Sequence, residues 1–320
     1  ELAYCRDKGN VNDVPRAADA LLQVMVKGFS REDAFDALLK ADVTGAIEML
    51  QAMQPTTTPT NPAHIWGELS ELSSLDSGGY GDVFFAQHAN FGKVAVKLVK
   101  NWADQESKAA LQSEMQLLFQ FKHANIIRCF GGNYVPWTFM VTEFMDNGSF
   151  EKCLMEHPQT FLHQPDGVNI VRDAARGLAY LHSPHISVLH LDIKSANVLV
   201  SAGLQGKLAD FGNARHCPSG STQQLSGTKE WCDPEVVRTH TASAKSDIFS
   251  LGLLLWRMSE PKIPALWSTL APDPAWDQGH RDLIYAMISP NPQQRPTAEA
   301  VCGQLDTWIT IRSQPSPAYV

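Results

Sequence analysis

The segment that decides the fold lies at residues 188–200 and reads Val188-Leu189-His190-Leu191-Asp192-Ile193-Lys194-Ser195-Ala196-Asn197-Val198-Leu199-Val200. Its two ends are short, branched and apolar, which predicts two brief buried strands. The polar residues between them then form a loop that the core holds at both ends. Such a loop presents a carboxylate, an ammonium group and an amide to a cleft, from Asp192, Lys194 and Asn197.

A second carboxylate ends another apolar run farther along the chain, in Leu208-Ala209-Asp210-Phe211-Gly212. An isolated Asp-x-x-x-x-Asn is usually only a capping pattern, but the second segment at this spacing favours a catalytic interpretation. Together the two segments resemble the catalytic loop and the metal-binding DFG segment of protein kinases. The resemblance implies that Asp192 accepts the proton of an attacking hydroxyl and that Asn197 and Asp210 hold Mg²⁺. It also implies that Lys194 lies near the transferred phosphate, as in serine/threonine kinases.

The composition is typical of a globular intracellular protein. The 320 residues are 44% hydrophobic and 19% charged, so a packed core is expected. The formal net charge of −8 argues against nucleic acid and anionic membranes as main partners. The six cysteines form no CxxC pair and no zinc-type spacing with histidine, which predicts reduced thiols. No run is long and apolar enough to span a bilayer and no signal peptide is visible, so the cytoplasm is the default expectation for a sequence that begins at Glu1 rather than methionine.

The first fifty residues predict three short helices that pack as a small domain. Gly28 ends the first helix, and Ser30-Arg31-Glu32-Asp33 is a capping box for the second. The pattern is similar to a ubiquitin-associated (UBA) domain. That resemblance implies ubiquitin binding through four residues of the loop and third helix: Gly28, Phe29, Met49 and Leu50. A bundle that only braces the rest of the chain is the alternative, and an autoinhibitory role for residues 1–54 is another.

A stretch rich in proline and threonine separates this domain from the rest, at residues 55–67. The resemblance to kinases then assigns residues 68–311 to a kinase domain and 312–320 to a tail. The amino-terminal lobe is expected at 68–145 and the carboxy-terminal lobe at 146–311. The implied fold class is α+β: a five-stranded antiparallel sheet with one helix, a mainly helical second lobe, and a three-helix UBA-like bundle in front.

A glycine-rich stretch opens the expected kinase domain, from Leu75 to Val83. It resembles the kinase loop G-x-G-x-x-G-x-V, with Gly78 and Gly81 at the second and third glycine positions and Asp76 at the first. Glycines let backbone N–H groups approach phosphate oxygens because no Cβ intervenes. The resemblance implies that this loop binds the phosphates of ATP.

The next strand carries a lysine in Val94-Ala95-Val96-Lys97, which matches the kinase motif V-A-I-K. Alternation along a strand puts Ala95 and Lys97 on one face, and the resemblance implies that Lys97 binds the α- and β-phosphates. A helix is predicted from about Gln105 to Phe121. Its Glu114 is the expected partner of Lys97, and Glu106 is the alternative, although acids near a helix start often only favour the dipole.

Adenine is expected to bind beside the fifth strand and the hinge, in Phe139-Met140-Val141-Thr142-Glu143-Phe144-Met145. By resemblance, Thr142 is the gatekeeper, and the backbones of Glu143 and Met145 bond the adenine edge. The ring would lie between apolar side chains, as in most small-molecule pockets. Those side chains are Val83, Ala95 and Leu199.

Three further contacts are expected around the catalytic loop. Thr228 is expected to bond the side chains of Asp192 and Lys194, as in serine/threonine kinases. Asp247 resembles the acid that caps the backbone of the loop. His190 is expected to pack in the core rather than act in catalysis.

Two departures from the kinase pattern lie near the activation segment. Leu191 replaces the usual arginine, which indicates that switching does not depend on a phosphate contact at that position. Asp233 replaces alanine in the A-P-E mark, and Glu235 of that mark is expected to form a buried ion pair with Arg295. Removing one partner of such a pair costs about 3–5 kcal/mol.

These residues predict an active serine/threonine kinase that uses ATP and Mg²⁺ and acts on a protein substrate as a monomer. A pseudokinase scaffold that binds ubiquitinated partners without catalysis is the alternative, suggested by Asp76, Leu191 and Asp233. A UBA-like domain on a short linker raises the local concentration of ubiquitin toward the millimolar range. Ubiquitin, or proteins that carry it, are therefore candidate substrates.

Overall fold

The computed structural model describes residues 65, 68–77, 82–99, 105–133, 138–223, 228–258 and 276–312. The expected UBA-like domain at residues 1–54 lies outside the described residues, as do Gly78 and Gly81 of the glycine-rich loop. The described residues fall into two compact units. The first ends at Phe119 and resumes over Arg128–Phe144, and the second comprises Gln120–Ile127 and the residues from Met145 onward.

The first unit is an antiparallel sheet of five strands with one helix, as the sequence predicted. Its elements are β1 (Leu69–Ser77), β2 (Asp82–His88), β3 (Gly92–Leu98), α1 (Gln105–Leu118), β4 (Cys129–Asn133) and β5 (Phe139–Glu143). The strand order is β1-β2-β3-β5-β4. Because side chains alternate along each strand, one face can be apolar throughout. That face forms a core from Phe84, Ala86, Val94, Val96, Leu98, Phe139 and Val141.

The helix α1 is shorter than predicted, since it ends at Leu118 rather than at Phe121. Phe121 belongs to the second unit, where its ring packs 5.5 Å from the ring of Phe211 and 6.2 Å from that of Tyr180. The contacts of the partly exposed Phe121 ring with these two rings outweigh the small helical preference of one more turn. Tertiary packing therefore sets the end of this helix.

The second unit is mainly helical. Its helices are α2 (Phe150–Glu156), α3 (Pro158–Phe161), α4 (Pro165–His182), α5 (Pro234–Thr239), α6 (Ala244–Arg257), α7 (Gln278–Met287) and α8 (Ala298–Arg312). The helices α4 and α6 are buried over most of their length, and α4 packs against both α6 and α8. Among the helices of the described residues, none has both the length and the apolar character needed to cross a membrane.

Short strand pairs hold the loops of the second unit. The strands are β6 (Val188–Leu189), β7 (Val198–Val200), β8 (Gly206–Leu208), β9 (Arg215–His216), β10 (Ser221–Gln223) and β11 (Thr241–Ser243). They pair as β6 with β9, β7 with β8, and β10 with β11. The predicted strands on either side of the polar loop at 190–197 are thus confirmed, and each is tied to a neighbour.

Candidate active site

A carboxylate lies at the centre of the loop between β6 and β7. Asp192 is 7% exposed. Lys194 Nζ donates to Asp192 Oδ2 at 2.8 Å, and Thr228 Oγ1 donates to Asp192 Oδ1 at 2.9 Å. Lys194 Nζ also donates to Thr228 Oγ1 at 2.8 Å, which closes a triangle of three side chains. The contacts expected for Thr228 are present.

An amide fixes the other side of this carboxylate. Asn197 ends a short 3₁₀ turn, Ser195–Asn197, and its Nδ2 donates to Asp192 O at 2.8 Å and to Asp192 Oδ2 at 2.9 Å. Both partners are acceptors, so the nitrogen of the amide must face Asp192. The amide oxygen receives no hydrogen bond from the described residues, and it is therefore available to a cation.

The second predicted metal ligand follows the neighbouring strand. The Ala209 N–H donates to Asn197 O at 2.9 Å, which places Asp210 just beyond Asn197 at the end of the β7–β8 hairpin. Asp210 has a φ of 60°, a left-handed conformation that aspartate tolerates better than most residues. A carboxylate and an amide oxygen are ligands that Mg²⁺ accepts, with waters and phosphate oxygens completing its shell. The donor set at this end of the hairpin therefore fits Mg²⁺.

A buried acid on α6 organises the backbone of the loop. Asp247 accepts the N–H of His190 at 2.9 Å and that of Leu191 at 2.8 Å, and His182 Nε2 lies 2.8 Å from its Oδ2. Burial alone raises the pKa of Asp247, but the hydrogen bond and charge of His182, with those of His190, outweigh it and keep the pKa below 3.8. The expected capping role of Asp247 is confirmed. The ring of His190 is fully buried and packs 4.7 Å from that of Phe211, so His190 belongs to the core.

The leucine that replaces arginine is part of an apolar cluster. Leu191 is 8% exposed and has a φ of 65°, a costly conformation that the bond to Asp247 helps to hold. The cluster consists of Leu189, Leu191, Cys217, Val236 and Ala242. A charged arginine at position 191 would be unfavourable among these apolar side chains. The activation segment therefore packs here through apolar contacts.

The predicted ion pair between Glu235 and Arg295 is wrong. Arg295, whose side chain is fully buried, instead bonds Asp233, with Nη1–Oδ2 and Nη2–Oδ1 distances of 2.5 and 3.0 Å. Asp233 is the N-cap of α5, and its Oδ1 also accepts the Glu235 N–H at 3.0 Å. Glu235 lies two residues farther on, in the first turn of α5, where it is partly exposed. Its Oε1 is 3.8 Å from Nη2 of the exposed Arg238. Asp233, which replaces the usual alanine, therefore holds this end of the activation segment through its ion pair with Arg295.

Sequence reasoning missed a polar bridge beside the loop. Glu151 on α2 accepts a hydrogen bond from Ser195 Oγ and, at 3.0 Å, one from Arg257 Nη2 on α6. These three residues are far apart in the sequence. Glutamate and arginine are common in helices and serine is common in turns, so none of them stands out in the sequence. No spacing rule would have joined them.

The lysine of the first unit has the expected partner. Lys97 Nζ lies 2.8 Å from Glu114 Oε2, and the Glu114 side chain is only 3% exposed. Glu106, the alternative, lies in the first turn of α1 and is exposed. Glu114 is therefore the partner of Lys97.

The remaining predicted nucleotide contacts lie in three places. Val83 pairs with Lys97, and Ala95 with Thr142, so the alternation of the strands puts these four on the face opposite the apolar core. The Glu143 N–H donates to Arg128 O at 3.0 Å, within the first unit. In the second unit, the buried Met145 accepts the Gly148 N–H at 2.9 Å, and Leu199 lies half-buried in β7.

Comparison with known proteins gives a family and several relatives. The family model described as protein kinase domain matches residues 69–305. The chain is 31% identical over 250 residues to calmodulin-binding receptor-like cytoplasmic kinase 3 of Arabidopsis thaliana, which covers 72% of this chain and 47% of that protein. It is 28% identical over 249 residues to the probable serine/threonine-protein kinase drkA of Dictyostelium discoideum, covering 73% of this chain and 38% of the relative. The chain thus spans less than half the length of these relatives.

Proposed function

This chain belongs to the protein kinase family, and on that premise we propose that it transfers the terminal phosphoryl group of ATP to serine and threonine hydroxyls of proteins. The observation that carries the proposal is the triangle of Asp192, Lys194 and Thr228, with its 2.8–2.9 Å contacts. Phosphoryl transfer needs positioning and charge stabilisation more than covalent help, and this triangle supplies both.

In the proposed reaction, Asp192 orients the hydroxyl of the substrate and accepts its proton. Asp192 Oδ2 is already shared by Lys194 and Asn197, which fixes the direction of the carboxylate before substrate arrives. The ammonium group of Lys194 offsets negative charge on the phosphoryl group in transit. Thr228 ties the activation segment to both residues.

The nucleotide and its metal ion are proposed to use the residues that the resemblance to kinases assigns to them. Mg²⁺ would supply charge neutralisation on the phosphate oxygens, and Asn197 and Asp210 would hold it. Lys97, aligned by Glu114, would bind the α- and β-phosphates. Val83, Ala95, Thr142 and Leu199, with the backbones of Glu143 and Met145, would receive adenine, while Gly78 and Gly81 would cover the phosphates.

The test compares Asp192→Asn with Asp282→Asn, the same isosteric change at an exposed position on α7. Incorporation of labelled phosphate into casein and into the chain itself is measured with Mg²⁺. Loss of a general base is expected to lower the rate roughly 10²–10⁴-fold in Asp192→Asn while ATP still binds, and to leave Asp282→Asn unchanged. Equal, measurable rates in both variants would contradict a catalytic Asp192, and no incorporation by the parent chain or either variant would favour the pseudokinase scaffold.

A finer proposal concerns the substrate. Residues 1–54 are proposed to form a UBA-like domain that delivers ubiquitin, or proteins that carry it, to the kinase domain. The support is the sequence pattern that includes Gly28, Phe29, Met49 and Leu50. The intact mass of ubiquitin after incubation with the chain, ATP and Mg²⁺ measures the transfer. If no phosphate is added at a high concentration of the chain, ubiquitin is not a substrate. Deletion of residues 1–54 should lower the rate on ubiquitin, whereas an autoinhibitory segment would raise it.

Three further properties are proposed. Because Leu191 packs in an apolar cluster, activity is expected without a phosphate contact at that position. The chain is proposed to act as a monomer in the cytoplasm, and sedimentation of the purified chain and imaging of a tagged form would check these points.

A further inference from the structure

Three polar side chains from separate elements meet beside the turn that carries Asn197. Glu151 lies in the first turn of α2, Arg257 ends α6, and Ser195 begins the 3₁₀ turn. Arg257 Nη2 donates to Glu151 Oε1 at 3.0 Å, and Ser195 Oγ donates to Glu151 Oε2. One carboxylate thus joins two helices to the turn, with one oxygen facing each partner.

The bridge is held in place by burial. The side chain of Arg257 is only 7% exposed, and Ser195 is fully buried. A buried guanidinium requires a carboxylate partner, because an unpaired charge there is strongly unfavourable. The carboxylate of Glu151 is therefore fixed by Arg257 at one oxygen and can position whatever bonds the other.

The turn transmits this constraint over two residues. The Asn197 N–H donates to Lys194 O at 3.0 Å, so the turn is closed around Ser195. With its backbone fixed, Asn197 can give its amide nitrogen to Asp192 and keep its oxygen turned away from it. A residue serving only the dipole of α2 would need neither contact.

We propose that Glu151 is a positioning residue for the metal-binding turn: acting through Ser195, it keeps the Asn197 amide oxygen directed at the cation. The inference rests on the proposed function, in which Asn197 is a ligand of Mg²⁺. Hydrogen bonds behind a ligand orient it, and their loss commonly weakens metal affinity.

The test uses the full chain with Ser195→Ala, which removes the donor and leaves the Glu151–Arg257 pair intact. Ser201→Ala is the matched control, since Ser201 follows β7 and its hydroxyl accepts the Gln205 N–H instead. We expect Ser195→Ala to raise the Mg²⁺ concentration for half-maximal rate roughly tenfold. A second readout needs no catalysis: the extra thermal stabilisation that Mg²⁺ adds to ATP should shrink in Ser195→Ala, while ATP in EDTA stabilises it as it does the parent.

A second variant keeps the inference open to refutation if Ser195→Ala does not fold. Glu151→Gln retains the shape of the side chain but loses its charge, and it should shift the Mg²⁺ requirement in the same direction. A lower unfolding temperature with an unchanged Mg²⁺ requirement, in whichever variants fold, would show a purely structural role and overturn the inference.

Asn197→Ala separates this inference from the proposed function. If Asn197→Ala weakens the response to Mg²⁺ and the other two variants do not, only the role of Glu151 fails. If Asn197→Ala itself responds to Mg²⁺ as the parent does, the proposed metal site fails.

Discussion

Replacing Asp233 with alanine should destabilise the second unit far more than replacing Glu235, although Glu235 holds the position that usually pairs with the arginine. Asp233→Ala leaves the guanidinium of Arg295 buried without a carboxylate. Glu235→Ala removes only a 3.8 Å contact to Arg238, whose side chain is 77% exposed. The two variants are matched in charge and lie two residues apart.

The contacts of Asp233 set the magnitude. Breaking a buried ion pair by removing one partner costs about 3–5 kcal/mol. The same carboxylate caps α5, and losing an N-cap costs about 1 kcal/mol. Arg295 also donates to Ser289 O at 2.8 Å and to Lys245 O at 2.9 Å, so it cannot easily turn out to water. We expect the free energy of unfolding to fall by about 4 kcal/mol in Asp233→Ala, and by less than about 1 kcal/mol in Glu235→Ala.

Urea unfolding followed by tryptophan fluorescence measures both variants. For Asp233→Ala the midpoint should fall by roughly 1–2 M, given ordinary slopes. The double variant Asp233→Ala, Arg295→Met removes both charges and should be more stable than Asp233→Ala alone, because no buried charge is left unpaired. A loss in Glu235→Ala equal to that in Asp233→Ala would refute the pairing.

Three other predictions concern pH, packing and thiol chemistry. The pKa of Asp247 in the folded chain lies below the ordinary value of 3.8, so its contribution to stability is complete above that value and is lost as pH falls through the lower folded pKa. Asp247→Asn should therefore lower the free energy of unfolding by about 1.5–3 kcal/mol at pH 7. The difference in unfolding midpoint between the parent and Asp247→Asn should become smaller in acid. Gly252→Ala would bring a Cβ within 2.8 Å of Met287 Cβ on α7, and overpacking should cost about 1–3 kcal/mol, seen as a lower unfolding temperature; an unchanged temperature would contradict the tight contact. Burial raises the pKa of the Cys129 thiol to about 12 and the pKa of the Cys232 and Cys302 thiols to about 11. Iodoacetamide should therefore label these three thiols much more slowly in the folded chain than in the urea-unfolded chain, which peptide mass spectrometry would measure.

Much of the fold and the centre of the site could be predicted because the information is local. Alternation in β3 is enough to place Ala95 and Lys97 on one face, and short apolar runs are enough to mark β6 and β7. The contacts of Asp192 involve Lys194 two positions away and a Thr228 that the family pattern marks. Such features depend on spacing, which is visible in one sequence.

The features that the sequence did not predict depend on contacts between residues far apart in the chain. Arg295 could meet either Asp233 or Glu235, and only the direction of each side chain at the start of α5 decides between them. The end of α1 depends on the ring contact that Phe121 makes with Phe211. The bridge through Glu151 joins residues that no periodicity relates.

The neutral amide of Asn197 limits how strongly this loop attracts a cation, because an amide oxygen carries less negative charge than a carboxylate. Its nitrogen lies 2.9 Å from a carboxylate oxygen of Asp192. An aspartate there would replace the two hydrogen bonds that Asn197 donates to Asp192 with repulsion between two carboxylates. In the proposed reaction, selection for tighter magnesium binding would thus oppose selection for a ready proton acceptor, and the amide is the compromise between them.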